Sequence, residues 1–141
     1  MPFSANLVDD IKRAVLTSAT PDKRELQVKL REYIKEMMGT VPSTLQRKGR
    51  LFISKRVRDY RSSINKKAKL FVASGKSPFA STSEEFANEI FPPTLRCVDL
   101  AENEKVGYSD LIKGMKAAIQ KMRETDKSLW ECIKSDYSDT V

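Results

Sequence analysis

Apolar residues recur at helical spacing along most of this chain. In the first segment, Leu7, Ile11, Ala14 and Val15 are spaced four, three and one apart, which places them on one helix face. The pattern ends near Ser18. We therefore predict a first amphipathic helix that buries this face and ends there.

A second helix is predicted to begin with Thr20 as its N-cap and Pro21 at its first helical position, and to end at Gly39 as its C-cap. Proline lacks an amide hydrogen and glycine tolerates the left-handed conformation, so both residues mark helix ends. The predicted apolar stripe of this helix comprises Leu26, Leu30, Tyr33, Ile34 and Met37.

The longest helix is predicted over residues 51–73, closed by Gly75. Residues 42–49, which contain a proline and a glycine, are predicted to form a break with room for one helical turn. The apolar positions of the long helix, at spacings of three and four, are Ile53, Val57, Tyr60, Ile64, Ala68 and Phe71. This spacing is close to a heptad seam, so we expect the helix to pack on a second copy of the chain in a homodimer.

The C-terminal part is predicted to be helical in shorter pieces. A short helix has either Ser81 and Glu84 or Thr82 and Glu85 as its capping box. The region that follows, up to residue 107, is predicted to be irregular apart from a short extended piece.

The last predicted helix is capped by Ser109 and is continued or re-formed by residues 127–133. Together these elements predict an all-α fold. We expect a small helical bundle with one long basic amphipathic helix.

Composition excludes several classes of protein. The 141 residues are 40% hydrophobic, which suits one globular domain, and they include no histidine. A Ser-His-Asp triad, a Cys-His pair and a histidine metal site are therefore impossible. Cys97 and Cys132 are too few for a four-cysteine zinc site, and the scattered glycines form no phosphate-binding loop. We predict no catalytic residue, no metal, no cofactor and no small-molecule substrate, and hence a protein that is not an enzyme.

The sequence also carries an expectation about localisation. No apolar run approaches the length of a membrane-spanning helix, and the N-terminus MPFSANLVDDIKR lacks the order of a signal peptide. We therefore expect a cytoplasmic or nuclear protein, in the host cytoplasm if it is viral. In that reducing compartment Cys97 and Cys132 are expected to be thiols.

Positive charge is concentrated in the middle of the chain, whose net charge is +7. Residues 1–42 hold seven basic and six acidic side chains, for +1. Residues 43–76 hold eleven basic side chains against Asp59 alone, for +10, and residues 77–141 hold eight against twelve, for −4. A basic segment with so few acidic neighbours indicates a polyanionic partner.

The polar side of the long helix is the predicted nucleic-acid-binding site. Basic residues at spacings of three and four on a rigid helix can meet successive phosphates. Hydroxyl and amide groups between them can hydrogen-bond sugar or phosphate oxygens, including a ribose 2′-hydroxyl. We expect Arg58, Arg61, Asn65 and Lys69 to form the centre line of this face. The full predicted site comprises Arg47, Arg50, Ser54, Lys55, Arg58, Arg61, Ser62, Asn65, Lys66 and Lys69.

The same face favours a duplex over a single strand. Tyr60 and Phe71 are predicted to lie on the apolar side, whereas single-strand binders usually stack bases on exposed aromatic residues. No zinc finger and no glycine-rich RNA-recognition motif is present to contact base edges. We therefore predict that the helix recognises the backbone of a duplex.

Two alternatives to nucleic-acid binding are open. In one, the protein is a helical matrix-type or adaptor protein whose basic face binds an acidic protein or an anionic membrane surface. The membrane is the less favoured partner, because the opposite apolar face resembles a packing seam. In the other, the face is merely solvated or pairs with the acidic part of the chain after residue 76.

Two short stretches resemble the RNA-silencing suppressors of insect nodaviruses. Residues 7–15, LVDDIKRAV, are similar to the opening helix of that family, and residues 64–70, INKKAKL, to the basic stretch of its longest helix. The resemblance implies an all-helical homodimer that binds double-stranded RNA along one face without regard to sequence. It would place Asn65, Lys66, Lys67 and Lys69 at the RNA.

The predicted function is therefore sequence-independent binding of double-stranded RNA, as in a viral suppressor of RNA silencing. Residues 1–76 form the predicted helical region for nucleic-acid binding and dimerisation. Residues 77–141 form a smaller C-terminal helical region. The expected partners are double-stranded RNA and a second copy of the chain.

Overall fold

Six α-helices and no strand make up the part of the chain that the computed structural model describes, residues 5–96 and 99–125. In chain order these helices are α1 (Ala5–Thr17), α2 (Lys23–Met38), α3 (Ser43–Ala73), α4 (Ser83–Ile90), α5 (Pro93–Arg96) and α6 (Glu102–Glu124). The prediction of an all-α helical bundle with one long basic helix is confirmed.

The helices share one hydrophobic core. Helix α1 contacts α2, α3 and α6, and helix α3 contacts α1, α2, α4 and α6. Leu7, Ile11 and Val15 of α1 are at most 1% exposed, as the spacing predicted, and α1 ends beside Ser18. The same core cluster includes α6 residues such as Ile112, so both halves of the chain contribute to it.

Helix α2 begins later than predicted. Its N-cap is Asp22, whose carboxylate accepts a hydrogen bond from the Arg24 amide at 2.9 Å, so the assignment of this role to Thr20 is wrong. The predicted C-cap is confirmed, because Gly39 has a φ of 75°. Met37 is 58% exposed, contrary to prediction, because the last turn of α2 extends beyond the buried stripe.

Helix α3 is continuous, so the predicted break at residues 42–49 is wrong except at the proline itself. Gly49 lies inside the helix and is buried against Leu30 of α2. A Cβ atom built on Gly49 would lie 2.2 Å from Cδ2 of Leu30, which is far inside van der Waals contact. Gly49 therefore marks a close approach between α3 and α2. Gly75, with a φ of 75°, follows the helix end as predicted.

The apolar seam of α3 is buried within the chain. Ile53, Val57, Ile64, Ala68 and Phe71 are all between 0% and 5% exposed, packed by the neighbouring helices. The prediction that this seam packs on a second copy is therefore wrong, because a helix at the centre of a bundle shows the same spacing as a dimer helix. The homodimer itself stays a prediction and would need another surface. Light scattering of the purified protein tests it.

The start of α4 follows one of the two predicted capping boxes. The Thr82 hydroxyl accepts a hydrogen bond from the Glu85 amide at 3.2 Å, so Thr82 is the N-cap in place of Ser81.

Helix α6 begins earlier than predicted. It starts at Glu102 after Ala101, and the Glu104 carboxylate accepts a hydrogen bond from the Ala101 amide at 2.8 Å. Ser109 therefore lies inside the helix and is not its cap. The prediction of an irregular region up to residue 107 is wrong, since α5 and the first turns of α6 lie there. The predicted helix over residues 127–133 lies outside the described residues.

The two glycines of α6 provide a matched test of its packing. A Cβ on Gly107 would lie 2.7 Å from the carbonyl oxygen of Thr17, whereas a Cβ on Gly114 would meet nothing within 4 Å. We expect Gly107→Ala to lower the free energy of unfolding by about 1–2 kcal/mol, because an overpacking cost outweighs the gain in helix propensity. We expect Gly114→Ala to raise it by up to about 1 kcal/mol. Urea midpoints that shift in the same direction would contradict this account.

Candidate nucleic-acid interface

The side of α3 that faces away from the core carries a line of exposed residues. Its members are three or four positions apart in the chain and all are exposed, so the line follows one face of the helix. From one end of the helix to the other it comprises Thr44, Lys48, Leu51, Lys55, Arg58, Ser62, Lys66 and Lys69. We call this line the outer face of α3. Lys48 and Lys69 are separated by about 31 Å along the helix axis, at roughly 1.5 Å per residue.

Most residues of the predicted site are exposed on α3. Ser54 and Asn65 are half-buried at its edge, and Arg61 is buried. The exposed members of the predicted set are Arg47, Arg50, Lys55, Arg58, Ser62, Lys66 and Lys69.

Arg61 is a structural residue. Only 6% of it is exposed, and its Nη2 donates a hydrogen bond to the carbonyl oxygen of Ala19 at 2.6 Å. This contact joins the middle of α3 to the connection between α1 and α2. The prediction that Arg61 lies on the centre line of the exposed face is therefore wrong. Arg61 follows buried Val57 by four residues and precedes buried Ala68 by seven, so helical periodicity places it on the buried face.

Three residues of the outer face, Thr44, Lys48 and Leu51, were not among the predicted site residues. Lys48 is exposed in the first half of the face, in the segment that was predicted to be a break. Leu51 is 64% exposed between Lys48 and Lys55. Once α3 is known to be continuous from Ser43, the same spacing rule extends the cationic face back to Lys48.

Four cations of the outer face lack acidic partners within the part of the chain that the structure describes. Among those residues, Lys48, Lys55, Arg58 and Lys66 form no ion pair, and Asp59 is the only acidic residue of α3. The ion pairs that do form lie elsewhere in the bundle, for example from Lys29, Lys76 and Lys105. The positive charge of these four residues is therefore available to an external anion.

Asp10 of α1 is engaged within the bundle by residues of α2. The Tyr33 hydroxyl donates a 2.5 Å hydrogen bond to Asp10, and Lys29 lies 3.7 Å from the same carboxylate. Burial, with the hydrogen bond and charge of Asp10, raises the pKa of Tyr33 to about 12. Asp10 is thus held by α1 and α2 and does not neutralise α3.

None of the aromatic residues of α3 is exposed. Phe71 is buried, whereas Phe52 and Tyr60 are half-buried. The Arg56 guanidinium lies 5.2 Å from the ring centroid of Phe52, where a cation–π contact covers the ring. Burial raises the pKa of Tyr60, although the nearby Arg56 opposes this. Tyr60 and Phe71 lie on the apolar side, as predicted, since Phe71 belongs to the core and Tyr60 packs against it.

The described residues offer neither a metal centre nor a membrane span. No three of their aspartate and glutamate side chains form a group that could hold a metal ion. Within residues 5–96 and 99–125, no helix combines the length and the apolar character needed to cross a bilayer.

The fold and this surface together define a helical bundle that presents one long cationic helix to solvent. Comparisons of the chain with protein-family models, with curated protein sequences and with solved structures found no match. The functional argument therefore rests on the geometry and charge of α3.

Proposed function

We propose that the protein binds double-stranded RNA through the outer face of α3 without regard to base sequence. The observation that carries the proposal is a line of exposed cations on one helix face, of which Lys48, Lys55, Arg58 and Lys66 form no ion pair among the described residues. Lysine and arginine at this spacing neutralise successive phosphates and release condensed counterions. Contacts from Lys48, Lys55, Arg58, Lys66 and Lys69 would make log K fall with log salt at a slope of about −4.5.

The shape of the surface favours a duplex as the ligand. A straight helix can follow the regular phosphate rows of a duplex, whereas single-strand binding relies on aromatic residues that stack on bases. The half-buried positions of Phe52 and Tyr60 leave α3 without such a platform. Backbone contacts of this kind carry no sequence information, so the binding is expected to be independent of sequence.

The proposal extends to a biological role, the suppression of RNA silencing, which depends on the proposed binding of duplex RNA. A protein that covers duplex RNA without reading its sequence would hide it from double-strand-specific ribonucleases. The resemblance of residues 7–15 and 64–70 to the nodavirus suppressors supports this role. The parent protein is expected to protect duplex RNA from such a nuclease in proportion to its occupancy of the duplex.

One observation favours the competing function, in which the basic face binds an anionic membrane or an acidic protein. Leu51 and Leu70 of α3 are 64% and 67% exposed, and Phe79 in the following loop is 60% exposed. Exposed apolar residues beside cations are typical of helices that bind the surface of a charged bilayer. These three apolar side chains would not contribute to the binding of phosphates, whereas they could insert into a membrane or pack against a protein.

The experiment that separates the two functions compares ligands at one salt concentration. Fluorescence anisotropy would be measured with two duplex RNAs of unrelated sequence, each of about 20 base pairs, and with their single strands. We expect equal affinity for the two duplexes and weaker binding of the single strands. Equal affinity for a single strand would remove duplex recognition, and binding only to anionic vesicles would replace the proposed function with the competing one.

A further inference from the structure

The positive charge of the outer face falls into two clusters, because the position between Arg58 and Lys66 on this face is held by Ser62. The N-terminal cluster comprises Lys48, Lys55 and Arg58. The C-terminal cluster comprises Lys66 and Lys69. Arg58 and Lys66 are separated by about 12 Å along the axis, at roughly 1.5 Å per residue. The interval between them has no exposed cation, because Arg61, the only basic residue there, is 6% exposed.

Ser62 lies at the centre of this interval, in which the exposed charged residue is the acidic Asp59. It is exposed and lies four residues from Arg58 and four from Lys66. Its neighbour Ser63 is half-buried, and the Ser63 hydroxyl donates a 3.0 Å hydrogen bond to the carbonyl oxygen of Asp59. The Ser62 hydroxyl makes no hydrogen bond within the described part of the chain, so it can both donate to and accept from a ligand.

A duplex that bridges the two clusters would present one of its grooves to Ser62. If each cluster meets a phosphate row, the space between the rows is a groove. The major groove of A-form RNA is deep and narrow, and side chains cannot reach into it. The minor groove is wide and shallow and displays ribose 2′-hydroxyl groups. A short hydroxyl side chain between two cations suits this second groove.

We infer that Ser62 is a specificity-determining residue, whose hydroxyl contacts a ribose 2′-hydroxyl and makes the protein prefer RNA over a duplex that lacks that group. The inference rests on the proposed function and deepens it. The clusters on either side supply affinity for any duplex through phosphate contacts, and those contacts do not distinguish RNA from DNA. The 2′-hydroxyl does distinguish them, since it is both a donor and an acceptor.

The test uses the full chain and two duplexes of the same sequence. One duplex is ordinary RNA, and in the other every 2′-hydroxyl is replaced by fluorine, which keeps the A-form but cannot donate a hydrogen bond. The variants are Ser62→Ala and, as the matched control, Ser63→Ala. Ser62 is exposed and alanine favours helices, so the first variant is expected to fold.

We expect the parent protein to bind the RNA duplex roughly threefold to tenfold more tightly than the fluorinated duplex, the effect of one hydrogen bond. Ser62→Ala should bind both duplexes equally, with an unchanged salt slope, and Ser63→Ala should keep the preference of the parent. If Ser62→Ala keeps that preference, or if the parent shows none, the inference is overturned while duplex binding stands. If the parent binds neither duplex, the proposed function fails first and the inference fails with it.

Discussion

Replacing Lys48, Lys55, Arg58 and Lys66 together by glutamine is expected to weaken binding of duplex RNA about a thousandfold at roughly 0.1 M salt. Each lost phosphate contact removes about 0.9 from the slope of log K against log salt, so four losses flatten it by about 3.6. All four residues are exposed, so the thermal midpoint should stay near that of the parent. Anisotropy titrations at several salt concentrations measure both the affinity and the slope.

The control for this variant has the same net charge. Arg24, Arg31 and Lys35 of α2 and Lys113 of α6 are also exposed, and their replacement by glutamine lowers the charge of the protein by the same amount. We expect this control to bind duplex RNA nearly as tightly as the parent, with a similar salt slope. If the control loses binding as strongly as the α3 variant, the net charge of the protein, and not the outer face of α3, accounts for the affinity.

Replacing Arg61 by methionine is expected to lower the free energy of unfolding by about 2 kcal/mol, because the carbonyl of Ala19 loses a charged hydrogen-bond donor. This corresponds to a fall of about 6–10 °C in the thermal midpoint of a chain of this size. Methionine preserves most of the side-chain packing, so the effect reports the guanidinium group. Circular dichroism during a thermal scan measures it.

Arg58→Met, in the same helix, is expected to affect RNA binding and not stability, the opposite of Arg61→Met. Arg58 is exposed, so its replacement should change the free energy of unfolding by no more than about 0.5 kcal/mol. It should nevertheless reduce the salt slope of RNA binding by about one unit, whereas Arg61→Met should leave that slope unchanged when measured well below its midpoint. Equal thermal midpoints for the two variants would show that Arg61 does not hold α3 to the connection after α1.

The sequence was sufficient to predict the helices that follow one clear period. The spacing of Leu7, Ile11 and Val15 predicted the buried face of α1, and one of the two predicted capping boxes, that of Thr82 and Glu85, marks the start of α4. These features are local, because the residues that decide them lie within a few positions along the chain. The all-α fold follows from them.

The errors arose where a neighbouring helix decided the outcome. Gly49 was treated as a break, but it continues α3 because Leu30 of α2 fills the space that a side chain would occupy. Arg61 was treated as a surface cation, but Ala19, far away in sequence, supplies its hydrogen-bond acceptor. Helical periodicity alone places Arg61 on the buried face, but the sequence does not show which carbonyl group would accept its hydrogen bond there.

The seam of α3 illustrates a third kind of error. Residues such as Ile53 and Ile64 are spaced as in a dimeric coiled coil, yet they are fully buried inside the chain. Spacing alone does not identify the packing partner, because a helix at the centre of a bundle and a dimer helix bury the same positions. On the side opposite that seam, Lys55, Arg58, Ser62, Lys66 and Lys69 were predicted to be exposed and are exposed. Thr44, Lys48 and Leu51 were not predicted there, and Arg61, which was predicted there, is buried.

The central claim, that the outer face of α3 is the surface that binds duplex RNA, is tested most directly by lysine footprinting of the parent protein. Exposed lysines would be acylated with and without a saturating amount of duplex RNA, and each site would be quantified by mass spectrometry. The account predicts strong protection of Lys48, Lys55 and Lys66 and unchanged modification of Lys105 and Lys113 on α6. Protection of the α6 lysines with unchanged modification of Lys48, Lys55 and Lys66 would contradict it.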